Sequence, residues 1–138
     1  MQAAMEFRAV GYKGRVYNGG FFTDKGKVGI INCRDKNMQI NIVPTAACMG
    51  FYTGIKDSKG FKIYTNDLVI IKSNNEFNGL KGIVLFHKGE CLVGTEAGYF
   101  NLNNNETEYI TKGNAVQYKQ ELSDKLKDML IELRGLDD

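Results

Sequence analysis

A chain of 138 residues, 43% hydrophobic and 25% charged, is long enough to bury its own core and too apolar for wholesale disorder. Its 18 Lys/Arg against 16 Asp/Glu leave a net charge of only +2, short of the basic footprint of a dedicated nucleic-acid binder. No apolar run reaches bilayer-crossing length and the N-terminus, MQAAMEFRAVGYKG, has no apolar signal-peptide core, so a soluble cytoplasmic protein is expected.

In chain order, residues 6–10 alternate and predict a short strand, broken by Gly11 and Gly14. Arg15-Val16-Tyr17 is a second short run, closed at Asn18-Gly19-Gly20, where the Asn-Gly pair predicts a tight turn. Phe21-Phe22 leads into a loop at 23–26, and residues 27–32 read as a strand. Met38, Ile40 and Ile42 alternate with Gln39 and Asn41, the cleanest period-two signal in the chain, and Pro44 stops it. Residues 49–72, MGFYTGIKDSKGFKIYTNDLVIIK, read as strand, polar turn, strand, tight turn, strand, with Gly54 as a break. Adjacent Ile63 and Tyr64 then belong on opposite faces, one of them toward the core. Asn66 is expected at positive φ in the turn.

Asn78-Gly79 is another tight-turn pair, and residues 82–86 and 91–93 flank His87-Lys88-Gly89-Glu90 as a hairpin. Residues 99–102 form one more strand, residues 103–106 a polar loop, and Tyr109-Ile110 with Ala115-Val116 close the sheet. The period then changes. Leu122, Leu126, Met129, Leu130 and Leu133 make one apolar stripe of a helix, with Glu121 and Lys125 as an i,i+4 pair and Gly135 at its end. The stripe is too short for a coiled coil and is expected to pack on the β core.

Chemistry-bearing motifs are sparse. The single histidine, His87, lies near Glu90 and Cys91, but the spacing matches no metal-ligand pattern, so an exposed turn histidine and no metal are expected. Cys33, Cys48 and Cys91 form no C-x-x-C pair and read as small buried thiols of a reducing compartment. Gly-x-Ser-x-Gly, His-Glu-x-x-His and Walker motifs are all missing, so no catalytic residue and no cofactor are assigned, and the protein is expected not to be an enzyme. Charge is uneven: residues 1–72 hold 11 Lys/Arg and 5 Asp/Glu, residues 73–138 hold 7 and 11. Lys56, Lys59 and Lys62 interleave with Tyr52, Phe61 and Tyr64, the pairing of cations and rings with which small β-barrels hold single strands. The plainer alternative has the rings facing the core and the lysines keeping the hairpin soluble.

Phe51-Tyr52-Thr53-Gly54-Ile55-Lys56-Asp57-Ser58-Lys59-Gly60, followed by Ile63-Tyr64-Thr65-Asn66-Asp67-Leu68-Val69, resembles the YopX family of phage and prophage proteins, whose signature is like QYTGLKDKNGKEIYEGDIV. Glu6-Phe7-Arg8-Ala9 is similar to that family's KFRAW opening, and Gly113-Asn114-Ala115-Val116 with Glu121-Leu122 to its GNIYENPEL. Phe51 stands in place of Gln, Val10 of Trp, Gln120 of Pro, and Asn66 of the Gly in the Gly-Asp turn. The resemblance implies a small all-β, phage-associated protein. It carries over no functional residues, and the Tyr-Thr-Gly and Asn-Asp positions read as turn chemistry.

The expectation is one domain over residues 1–138: all-β, a small barrel-like or sandwiched antiparallel sheet, with one C-terminal amphipathic helix. The expected function is that of a non-enzymatic bacteriophage accessory protein in the host cytoplasm, acting by protein–protein or self-association as an oligomer. The alternative is a nucleic-acid-binding module using the basic N-terminal half, with Lys56, Lys59 and Lys62 as contacts.

Overall fold

The structure, a computed structural model, describes residues 6–10, 16–24, 27–34, 37–43 and 49–135, with side chains over 6–10, 16 and 49–130. Strands β1 (Phe7–Val10), β2 (Val16–Asp24), β3 (Lys27–Arg34), β4 (Asn37–Val43), β5 (Met49–Lys56) and β6 (Lys62–Tyr64) form an antiparallel sheet in the order β4-β3-β2-β1-β5-β6. Strands β7 (Asp67–Lys72), β8 (Lys81–His87), β9 (Glu90–Thr95), β10 (Gly98–Asn101) and β11 (Glu108–Asn114) form a second, in the order β10-β9-β8-β7-β11. A 3₁₀ segment, Ala115–Glu121, and helix α1, Asp124–Gly135, complete the described chain. The all-β class with a C-terminal helix is therefore correct.

The turns follow the local chemistry. Asn66 has φ 68°, and Lys88 and Gly89 have φ 50° and 81° between the paired residues His87 and Glu90. Two consecutive positive φ values are what a two-residue hairpin requires. At Gly50, an added Cβ would lie 2.0 Å from the Thr65 carbonyl oxygen, so only glycine lets β5 approach the β6–β7 turn this closely.

Several expectations are corrected. Asn18-Gly19-Gly20 is not a turn: β2 runs straight through it, pairing with β1 up to Phe7↔Gly19 and with β3 from Gly20↔Ile31. The glycines mark the handover between two partners, where ladder pairing outweighs the local turn preference. Gly54 does not break its strand. It sits at φ 86° inside a register shift between Tyr52 and Lys56, and the Thr53 hydroxyl donates to the Ile63 carbonyl at 2.7 Å. This is a β-bulge. Ala115 and Val116 open the 3₁₀ segment instead of extending the sheet; the Asn114 side chain accepts from the Val116 amide at 2.9 Å. The loop expected at 23–26 starts later, since Thr23 and Asp24 still belong to β2 and pair with Val28 and Lys27. Residues 25–26 and the stop at Pro44 lie outside the described residues, as do Gly11, Gly14 and Cys48 and the side chains of Cys33 and Leu133.

The five-stranded sheet is buried on both faces. Val69, Ile71, Val84, Val93 and Tyr109 pack with Leu102 and Ile63 on one side. Leu68 and Ile83 pack with Ala115, Leu122, Leu126, Met129 and Leu130 on the other. This is why β7 reads Leu-Val-Ile-Ile without alternation. Leu122, Leu126, Met129 and Leu130, the described side chains of the apolar stripe, thus pack against the sheet, as expected. α1 begins after Ser123, whose hydroxyl accepts from the Leu126 amide at 3.3 Å, so Leu122 and Glu121 precede it. Glu121 and Lys125 consequently do not pair: Glu121 bonds Lys112 at 2.9 Å, and Lys125 donates to the Glu96 carbonyl at 2.8 Å.

Candidate functional site

The signature residues converge where the two sheets meet. Asp67 opens β7 with no solvent exposure. One carboxylate oxygen accepts from the Arg8 guanidinium of β1. The other accepts from the Tyr64 amide at 2.9 Å and the Thr111 hydroxyl of β11 at 3.2 Å. Burial pushes the Asp67 carboxyl above the ordinary range, opposed by Arg8 and these hydrogen bonds. A single carboxylate thereby ties β1, β6, β7 and β11.

A layered cluster covers it. The Arg8 guanidinium lies 4.4 Å from the centre of the Tyr64 ring, and the Tyr64 and Tyr52 rings are 5.8 Å apart. Lys62 Nζ stands 5.2 Å from the Tyr52 ring centre. The Tyr64 hydroxyl donates to Glu6 at 2.6 Å, and Lys62 donates to both Glu6 oxygens at 3.0 Å. The bonds from Tyr64 and then Lys62 hold the Glu6 carboxyl below its ordinary value. Burial, with Glu6 adding to it, pushes the Tyr64 hydroxyl up. One of the adjacent pair Ile63 and Tyr64 faces the core, as expected, and the other is buried as well. Ile63 enters the core, while Tyr64 is covered on its other face by Arg8 and Glu6.

A second buried carboxylate, Asp57, shapes the β5–β6 turn. It accepts the Lys59 and Phe61 amides at 2.9 Å and the Thr111 amide at 3.0 Å. Burial would raise its pKa, but the amides of Thr111, Phe61 and Lys59 prevail and lower it. Asn66 completes the junction: its side-chain amide donates to the Met49 carbonyl at 2.6 Å, its backbone N–H to Val84 at 2.7 Å, and its carbonyl accepts from Ala115 at 2.8 Å.

Arg8, Phe61, Lys62, Tyr64, Thr111 and Lys112 line an open cleft of about 560 Å³ over this junction. The three lysines singled out in the sequence are all exposed. Lys56 and Lys62 are register partners, and Lys59 lies in the turn joining their strands. Lys62 turns to Glu6, which relieves the like-charge pairing with Lys56. Of the interleaved rings only Phe61 is largely open to solvent, at 62%. His87 is exposed at the end of β8. Cys91 is half-buried and burial pushes its thiol up, in line with a packing role. Among the described residues no three His, Cys, Asp or Glu side chains gather where they could hold a metal ion.

Sequence reasoning missed Arg8, Asp67 and Glu6 as a unit. The available signal was a charged residue directly before the unbroken apolar run Leu68-Val69-Ile70-Ile71, since a charge drawn into such a buried strand needs a partner.

Comparison with known families gives one result. No curated protein matches the sequence. The family model described as YopX protein matches residues 6–120, a span that runs from Glu6 through the Asp67 junction into the 3₁₀ segment. With that model covering most of its length, the chain belongs to the YopX family.

Proposed function

We propose that this is a non-enzymatic bacteriophage accessory protein that works in the host cytoplasm by binding protein through the edge of its six-stranded sheet. The observation that carries this reading is β4. It has seven residues, NMQINIV, with no charge, proline or glycine, and it pairs with β3 in unbroken register. It is the terminal strand of its sheet among the described residues. Edges are normally blunted by shortness, charge, bulges or cover. The other edges are: β6 has three residues and β10 four, and β11 is met by the Ser58 amide donating to Tyr109 and by Asp57 accepting from Thr111. A long neutral edge suits strand addition by a partner. The engagement of both Asp67 oxygens in fold-holding bonds supports a structural role for the signature. The phage assignment follows the family resemblance.

Nucleic-acid binding is the second reading, favoured by exposed Phe61 beside Lys59 and Lys62. The test is sedimentation of labelled protein, alone, with host-cell extract, and with a single-stranded oligonucleotide, at low and high salt. A faster-sedimenting protein complex that persists at high salt is expected. Its absence under every condition would overturn the reading. So would oligonucleotide binding that weakens steeply with salt and is lost in the combined Lys56→Ala, Lys59→Ala, Lys62→Ala variant.

A further inference from the structure

We infer that the occupant of the β4 edge is a second copy of this chain, paired antiparallel through β4 about a two-fold axis at Ile40. The inference rests on the association reading above and names its partner. An isologous contact sets each position against its symmetry mate. Rotation about Ile40 places Ile40 opposite Ile40, Met38 opposite Ile42, and Gln39 opposite Asn41. Apolar positions meet apolar ones and amides meet amides; only the terminal Asn37 and Val43 are unlike. A charged residue in such a strand would face a like charge or constrain the register, and β4 has none.

Parity supports the same axis. Because side-chain positions alternate with period two, residues 38, 40 and 42 of both copies fall on one face of the joined sheet. The β3 positions paired with them, Cys33 with Met38 and Ile31 with Ile40, are register positions of that same face, and their residue types are apolar too. Seven residues without charge, proline or glycine are also the pattern of a strand that aggregates when its edge stays open. A closed two-fold pairing removes that edge from both copies, whereas a head-to-tail contact would leave one open at each end.

The test uses purified full-length protein and two double variants. In Gln39→Lys with Asn41→Lys, like charges oppose each other twice across the axis. In Gln39→Lys with Asn41→Glu, Lys opposes Glu twice, with the same loss of amides. Sedimentation equilibrium should show a dimer for the parent. The Lys/Lys variant should raise the dissociation constant by roughly tenfold or more at low salt. The Lys/Glu variant should stay dimeric and so show that β4 tolerates charge. A parent that is monomeric at all concentrations would overturn the pairing. So would a dimer equally weakened in both variants, or in neither. Each of those results leaves association with a host protein to be judged by the extract experiment, so the two ideas fail separately.

Discussion

At the residue scale, the buried Arg8–Asp67 pair is the contact whose truncation should be most costly. Removing one partner of a buried ion pair leaves the other charge uncompensated, so Asp67→Ala should cost about 3–5 kcal/mol in chemical denaturation. It also orphans the Tyr64 amide. Lys62→Ala at the exposed Glu6 pair should cost less than about 1 kcal/mol. A loss from Asp67→Ala no larger than that from Lys62→Ala would refute the clip. Asn66 combines two effects. Glycine would relieve the positive φ, but it would also remove the bond to the Met49 carbonyl. Asn66→Gly should therefore lie within about 1 kcal/mol of the parent, and Asn66→Val well below both. Equal melting of the Gly and Val variants would remove the turn argument. Acid stability follows Asp57. Its pKa is lowered on folding, so its contribution is complete above the ordinary value of 3.8 and is lost as pH falls through the folded value. The stability gap between parent and Asp57→Asn, measured by urea titration, should shrink below pH 3.8. At Asp67 burial shifts the carboxyl in the opposite direction, against the pull of Arg8.

At the element scale, what was legible in the sequence was what is decided locally. Asn66, Lys88-Gly89 and the alternation of β4 report backbone conformation or face within a few residues. Asn18-Gly19-Gly20 misled because its turn preference is worth less than continuous pairing to β1 and β3. Asp67 misled for another reason: its partner Arg8 lies 59 residues away, and only the strand order β1-β5-β6 brings them together. The helix was legible as a stripe, but its start was not, because Leu122 is buried from the segment before the Ser123 cap. Leu126→Ala should cost about 2–5 kcal/mol through the cavity it leaves against Leu68 and Ile83, without changing the oligomeric state. A Leu126→Ala protein that remains folded but changes from dimer to monomer would place the interface on the helix instead.

At the scale of the whole molecule, the charge imbalance of the sequence follows the two sheets. Residues 1–72, with 11 Lys/Arg and 5 Asp/Glu, contain the whole six-stranded sheet, and residues 73–138, with 7 and 11, contain four of the five strands of the other. Association through these opposite charges would be screened by salt; pairing through the neutral β4 edge would not. The Asp67 clip joins the sheets, and β4 lies at the far end of the six-stranded sheet from β6, where partner binding need not disturb it. The most direct measurement is amide hydrogen exchange of the full-length protein, resolved by residue, across a range of protein concentrations at high salt. Alternate amides of β4 should gain protection as concentration rises, while those of the β10 edge stay unchanged. Exchange in β4 that is fast and independent of concentration would contradict binding of a second copy at this edge.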